Sequence, residues 1–465
     1  MSDIAAEKKG LDPKIPNYFL ISTTCQMIGN TIAGSYLNFY MTERMGITAV
    51  MMAGIMLVAR TADLILGVAS GGIVQQTQLN KGQYRSWLLY GPFICSIGTT
   101  MLFINSSLPV AAKYAQIVIG YILYGGAMSF LQISNNGMMA KISGPNVDDR
   151  MSISSKTVQG QNIGRLLTSL VTLTVIQMFD KIEKLDGYTV TQLIFVTIGI
   201  AGQLVLYYGT KDYESYDPNF KTSGTGSVKT TTMVVNTLKN PQLVILMIGD
   251  TARSTVLMTL AGLAMYVFTY VVKNPTMMTP YMFTTAITSL VASFVIAPIS
   301  KKIGKRNAGR MTGIICTLSY ACLGLFAGES AIMFILFMAI AGVGTMFIGS
   351  VAATLYLDCA EYQLFQTGQD NRTFAMSMFG VTIKVGFVFS SIILSWLLEA
   401  GGYDAVNKVM ADPNKFIRMT GFTSAAIYSI YLVIMLFFYQ ISEDKAKEYA
   451  EANFKMLQER QASQA

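Results

Sequence analysis

The chain alternates long apolar runs with short polar connections. Twelve such runs lie at roughly 18–41, 47–74, 86–104, 110–140, 152–179, 189–209, 241–272, 279–300, 309–328, 330–356, 373–400 and 417–440. Each approaches or exceeds the roughly 20 residues that a helix needs to cross about 30 Å of hydrocarbon. The ten-residue alternation of an outer-membrane strand is not seen. The pattern therefore predicts an all-α membrane protein of twelve transmembrane helices. A polar stretch from Lys211 to Lys239, containing TSGTGSVKTTT, divides the runs into two sixes and reads as a flexible linker. The expected domains are a six-helix bundle over 1–210 with a short polar tail, a linker over 211–240, a second bundle over 241–440 and a tail over 441–465.

Composition agrees with this pattern: 13% of residues are charged, against about 25% in a soluble domain. The formal net charge of +8 could suggest nucleic acid, but the basic residues cluster in the connections after runs 2, 4, 6 and 8. These carry Lys81, Arg85, Lys141, Arg150, Lys211, Lys221, Lys229, Lys239, Lys301, Lys302, Lys305, Arg306 and Arg310. By the positive-inside rule they face the cytoplasm, as do both termini, and anionic lipid is the expected counterpart. The opening MSDIAAEKKGLDPK reads as a cytoplasmic tail before a retained first helix, and the expected location is the plasma membrane, inner in a bacterium. A monomer is expected.

The absence of His excludes Ser-His-Asp catalysis, His-ligated metal and His proton relays. Five scattered cysteines without a CxxC read as reduced and ordinary. No metal or cofactor is expected, and an intramembrane enzyme is the least supported class. A sensor would want a signalling domain, for which only the short tail SEDKAKEYAEANFKMLQERQA is available.

Chemistry enters with five ionisable residues well inside apolar runs: Arg60 and Asp63, Asp250 and Arg253, and Lys384. Each costs roughly 2.5–3.5 kcal/mol at the centre of a spanning helix on the insertion scale, so such residues point to function. Arg165 and Glu399 lie nearer the ends, where snorkelling is cheap. A carboxylate can bind Na⁺ or H⁺ and couple a gradient to substrate movement, and a buried cation can bond sugar hydroxyls or hold that carboxylate. Static compensation within each i, i+3 pair is the plain alternative. Lys384 has no acidic neighbour within a turn. Run 4 adds Gln132, Asn135 and Asn136, followed by Gln159, Gln161 and Asn162, amides suited to many-hydroxyl ligands or to bonds between helices.

Runs 2 and 8 both end in glycine-containing basic loops, QLNKGQYR and KKIGKR, an echo that suggests duplicated six-helix units. Spaced small residues at Gly67–Gly71, Gly160–Gly164 and Ala341–Gly344 suggest close helix packing. LVARTAD in run 2, KGQYRSW, the DDR before run 5, DCAEYQLFQTGQDNR, Lys384 and WLLEAGGY together resemble the glycoside-pentoside-hexuronide:cation symporters, melibiose-carrier-like members of the major facilitator superfamily. The resemblance implies two six-helix halves and a Na⁺- or H⁺-coupled sugar carrier. It places the family's first run 2 carboxylate on Asp63 and its run 11 lysine on Lys384. The family's second run 2 carboxylate falls on Gly67, its run 1 Lys-Asp pair near Gln26 and Met27, its run 4 Asp and Trp near Gln132 and Asn136, and its run 5 Arg near Thr157.

The expected assignments are then Asp63 and Asp250 for the coupling ion, and Gln132, Asn136, Arg253 and Lys384 for the substrate. Arg60, Asp358, Glu361 and Arg372 are expected to gate or to hold structure. The surplus of buried cations would suit an anionic glycoside. A carrier of lipid-like or other non-sugar solutes, or an uncoupled facilitator, is the rival.

Overall fold

The computed structural model describes residues 11–105, 109–144, 146–183, 185–216, 239–349, 351–368 and 372–464. Within them the side chains at 68, 75, 76, 147, 148, 293, 297, 301, 372–374, 376, 377, 454 and 457–464 are outside the description. Most of the expected linker, with Lys221 and Lys229, falls outside it, as do the side chains of Lys301 and Arg372.

The apolar runs are helices. In chain order these are α1 (Ile15–Ser35), α2 (Leu37–Glu43), α3 (Ala49–Gln76), α4 (Arg85–Leu102), α5 (Val110–Ser143), α6 (Val147–Asp180) and α7 (Gly187–Gly209). After the linker come α8 (Pro241–Tyr266), α9 (Met278–Ile303), α10 (Lys305–Phe326), α11 (Ala331–Gly349), α12 (Ala352–Thr367), α13 (Arg372–Ala400), α14 (Pro413–Val433) and α15 (Glu443–Gln464). A two-stranded hairpin, β1 (Tyr403–Asp404) and β2 (Val409–Met410), joins α13 to α14.

Ten helical stretches among the described residues are long and apolar enough to span a membrane. The expected first and third spans correspond to α1 and α4, which stand outside those ten. α1 carries Ser22, Thr23, Thr24, Gln26, Asn30 and Thr31 among its apolar residues, which lowers its hydropathy without breaking the helix.

The expected loop after run 10 is instead helical. α12 buries Leu355, Tyr356, Cys359, Ala360 and Leu364 at helical spacing, and it stops at Gly368, whose φ of 66° is left-handed.

Two compact units emerge: Met1–Tyr40 with Ala62–Ser223, and Met41–Thr61 with Gly224–Ala465. The second therefore takes a segment from early in the chain. Within it Ser395 Oγ donates to Ala49 O at 2.5 Å, Tyr403 OH donates to Glu43 Oε1 at 2.6 Å, and Thr42 and Tyr266 share a hydroxyl bond of 2.7 Å.

In the first unit α1 packs along α6 and α7, and α4 along α5 and α7. The Gly160–Gly164 spacing serves the α1–α6 contact: Thr24 Oγ1 donates to Gly160 O at 3.1 Å, and a Cβ on Gly164 would stand 2.7 Å from Thr24 O. In the second unit α10 packs along α14 and α11, and α8 along α13. Here Gly344 is the close-contact residue, its carbonyl accepting from Thr312 Oγ1 at 2.9 Å. Gly71, by contrast, faces open space.

The echo between the two basic loops has a structural counterpart. In the first unit Gly82 adopts φ 114°, and Glu214, just beyond α7, caps the start of α4 by accepting from Tyr84 N at 3.0 Å and Arg85 N at 2.7 Å. Arg85 Nε donates back to Tyr207 O at 3.1 Å, and its guanidinium lies 4.4 Å from the Tyr207 ring. Lys141 completes the cluster with a 2.9 Å ion pair to Glu214. Burial, and then this carboxylate, push the Tyr84 phenol above its ordinary pKa.

In the second unit Gly304 adopts φ 84°, and Glu443, just beyond the α14 helix and its terminal π turn, accepts from Lys305 N. Arg310 Nε donates to Met435 O at 3.1 Å. A glycine with positive φ, a capping glutamate beyond the sixth span and an arginine bonded to that span's last carbonyls recur in both halves.

Candidate functional site

In the first unit the site begins at Asp63 on α3, which is 7% exposed. Its carboxylate occupies the notch left by Gly125 on α5: a Cβ there would lie 2.6 Å from Asp63 Cγ. The Gly125-Gly126 pair thus admits an acid against a helix backbone where any larger residue would exclude it. One turn on, Gly67 offers only backbone, and its carbonyl accepts from Ser70 Oγ at 2.8 Å.

On α5, Met128, Gln132 and Asn136 follow at four-residue spacing and form one stripe. Gln132 and Asn136 are exposed within the unit, whereas Asn135 Oδ1 is buried and has no partner among the described residues. Across from Met128 stand Gln26 and Asn30 of α1, whose amide nitrogens point at its sulfur at 3.9 and 3.4 Å. Sequence reasoning passed over Asn30, and also Gln203 on α7, although an amide inside an apolar run is a visible signal.

In the second unit Asp250 and Arg253 are 1% and 9% exposed and bonded to each other, Arg253 Nε donating to Asp250 Oδ1 at 2.7 Å. Their spacing of three on α8 makes this the self-satisfied arrangement. The remaining oxygen, Oδ2, is buried without a hydrogen bond among the described residues. Tyr356, Tyr428 and Tyr431 surround the pair at electrostatic range. Phenols are the one side chain here that adds both apolar bulk and a hydroxyl dipole.

Lys384 is half-buried on α13, two residues before Gly386, whose missing side chain lets α13 close on Ser254 of α8. Arg60 is directed at the same helix, its Nη1 donating to Phe387 O and, at 2.6 Å, to Ser390 Oγ. The guanidinium also lies 6.0 Å from the Phe387 ring. Arg60 thus tethers α3 to α13.

Asp358 and Glu361 act at the end of α12. Lys305 Nζ lies 2.6 Å from Asp358 Oδ2, and Asn453 of α15 donates to Glu361 Oε2 at 2.6 Å. Tyr449 of α15 stacks beside Tyr362 and Phe365. Both acids therefore hold helix ends together.

A polytopic helical bundle with carboxylates, cations and amides inside its spans is built to pass a polar solute through a membrane, and the chain is a multi-pass membrane transporter rather than an enzyme. Residues 18–443 match the MFS/sugar transport protein family, and the chain belongs to it. It is 21% identical over 448 residues to an isoprimeverose transporter of Lactiplantibacillus pentosus, covering 95% of this chain and 91% of that one. It is 20% identical over 432 residues to the inner membrane symporter YicJ of Escherichia coli strain K12, covering 90% and 89%. Among solved structures it resembles a bacterial homologue of the lysosomal transporter Spinster, with a TM-score of 0.67, 13% identity and coverage of 95% and 99%. That likeness establishes the major facilitator fold.

Proposed function

We propose that this transporter is a secondary carrier that moves a sugar or glycoside together with Na⁺ or H⁺, by alternating access, across the plasma membrane with both termini in the cytoplasm. The observation that carries the reading is Asp63 seated against Gly125: a buried acid held at a backbone notch is a place where a cation or proton can be taken up and released. Asp250, with one oxygen free of hydrogen bonds beside Arg253, is the second coupling group. Gln132, Asn136, Arg253 and Lys384 serve the solute. The isoprimeverose transporter and the inner membrane symporter among its relatives support both sugar and symport.

Proteoliposomes under an imposed Na⁺ or pH gradient test this. The wild type should concentrate one or more of a panel of radiolabelled neutral and acidic glycosides. Asp63→Asn should still exchange solute across the bilayer but no longer accumulate it. Unchanged accumulation by that variant overturns the coupling role. Gly67, which leaves α3 without a second carboxylate, favours one other reading, a facilitator; equilibration without accumulation by the wild type would select it.

A further inference from the structure

The first unit holds a second polar place apart from Asp63. Between α1, α4, α5 and α7 lies a cavity of about 30 Å³, bounded among others by Gln26, Asn30, Ser96, Met128 and Gln203. That is the liquid volume of about one water. No ionisable side chain other than the Cys95 thiol borders it.

Its polar groups are poorly satisfied. Asn30 Nδ2 and Gln26 Nε2 both donate to the sulfur of Met128, at 3.4 and 3.9 Å. A thioether is a weak acceptor, so two amide donors share one inadequate partner. Gln203 is 2% exposed, and neither its Oε1 nor its Nε2 has a partner among the described residues. Buried amides left in this condition cost stability, and proteins keep such costs chiefly where a ligand relieves them.

The groups define what would relieve them. Two donors and a whole carboxamide, with no charge, match a group that both accepts and donates. A hydroxyl does both: it can take a hydrogen from Asn30 or Gln26 and give its own to Gln203 Oε1. The volume admits a hydroxyl or hydroxymethyl tip and excludes a sugar ring.

We infer that this amide pocket is a hydroxyl-recognition subsite that takes the terminal hydroxyl group of a neutral polyol or glycoside. The inference rests on the reading of the chain as a carrier of hydroxyl-rich solutes, and it assigns recognition to Asn30 and Gln203, which lie outside the residues proposed above.

The experiment uses the full-length protein in nanodiscs, with methyl β-D-glucopyranoside and its 6-deoxy analogue as probes. Gln203→Met keeps the length of the side chain and removes both unsatisfied ends. It should leave the ligand-free melting temperature unchanged or raised, lower affinity for the 6-hydroxy glycoside about tenfold, and leave the 6-deoxy analogue unaffected. A fall of several degrees without ligand would make the amides structural and overturn the subsite. Equal losses for both glycosides would overturn it as well while leaving sugar transport standing. If the wild type binds neither glycoside, the sugar reading fails for these probes and ethylene glycol decides the pocket. A thermal shift present in the wild type and absent in Gln203→Met supports the subsite, and equal shifts in the two overturn it.

Discussion

The carboxylate of Asp63 stands where a side chain on Gly125 would go, with a Cβ at that position only 2.6 Å from Asp63 Cγ. The two residues lie on different helices, and neither can change without the other. Gly125→Ala should therefore reproduce much of the loss seen in Asp63→Asn, although it leaves the acid in place. Overpacking of this kind typically costs about 1–3 kcal/mol. The check is gradient-driven uptake alongside a thermal melt: lost accumulation with a folded protein is expected, and normal accumulation would show that the seat is dispensable.

Asp250 and Arg253 make the opposite case, since they lie on one helix and satisfy each other at 2.7 Å. Asp250→Asn leaves the guanidinium buried without its counter-charge, a loss of about 3–5 kcal/mol where a buried pair is broken. Replacing both, as Asp250→Leu with Arg253→Met, should recover most of that stability without restoring transport. Detergent melting curves for the single and double variants measure it. If the double variant is as unstable as the single one, the pair is not a closed electrostatic unit.

Much of the architecture was legible because apolar runs of spanning length have few other uses, and the polar stretch after Lys211 marked the halves. α12 was not, because DCAEYQ reads as a polar connection. It is helical because Leu355, Tyr356, Cys359 and Leu364 bury one face, while Asp358 and Glu361 find Lys305 and Asn453, partners 53 and 92 residues away. Asp250 and Arg253 were readable from a spacing of three. The same spacing pointed Arg60 toward Asp63, yet its Nη1 bonds reach α13, more than three hundred residues on. Local spacing proposes a partner, but only packing decides it. The amide pocket needed packing altogether, since Asn30, Met128 and Gln203 belong to three separate helices.

The Arg60 tether to α13 gives its own test. Arg60→Lys keeps the charge but has one nitrogen where the fork made two bonds, so it should slow transport severalfold while leaving solute affinity near the wild type. Ser390→Ala should do less, because the bond to Phe387 O survives. Transport rates for the two single variants and their double should be non-additive. Additive effects would mean that Arg60 does not act through Ser390.

Finally, the duplicated glycine-glutamate caps can be weighed against each other. Gly82 and Gly304 both have positive φ, where an L side chain is strained. At Gly82 a Cβ would also strike Glu214 Cγ at 2.6 Å, while at Gly304 the corresponding approach to Glu443 Cγ is 3.0 Å. Glu214 is only 4% exposed and holds two backbone N–H groups and Lys141, so it cannot swing aside without leaving them unpaired. Each N–H so stranded costs about 1–3 kcal/mol. Gly82→Ala should thus lower the melting temperature more than Gly304→Ala. Glu214→Ala should match the first, and combining it with Gly82→Ala should add little. A larger effect at Gly304, or full additivity of the first-unit pair, would show that backbone strain alone sets these positions and that the glutamate cap is incidental.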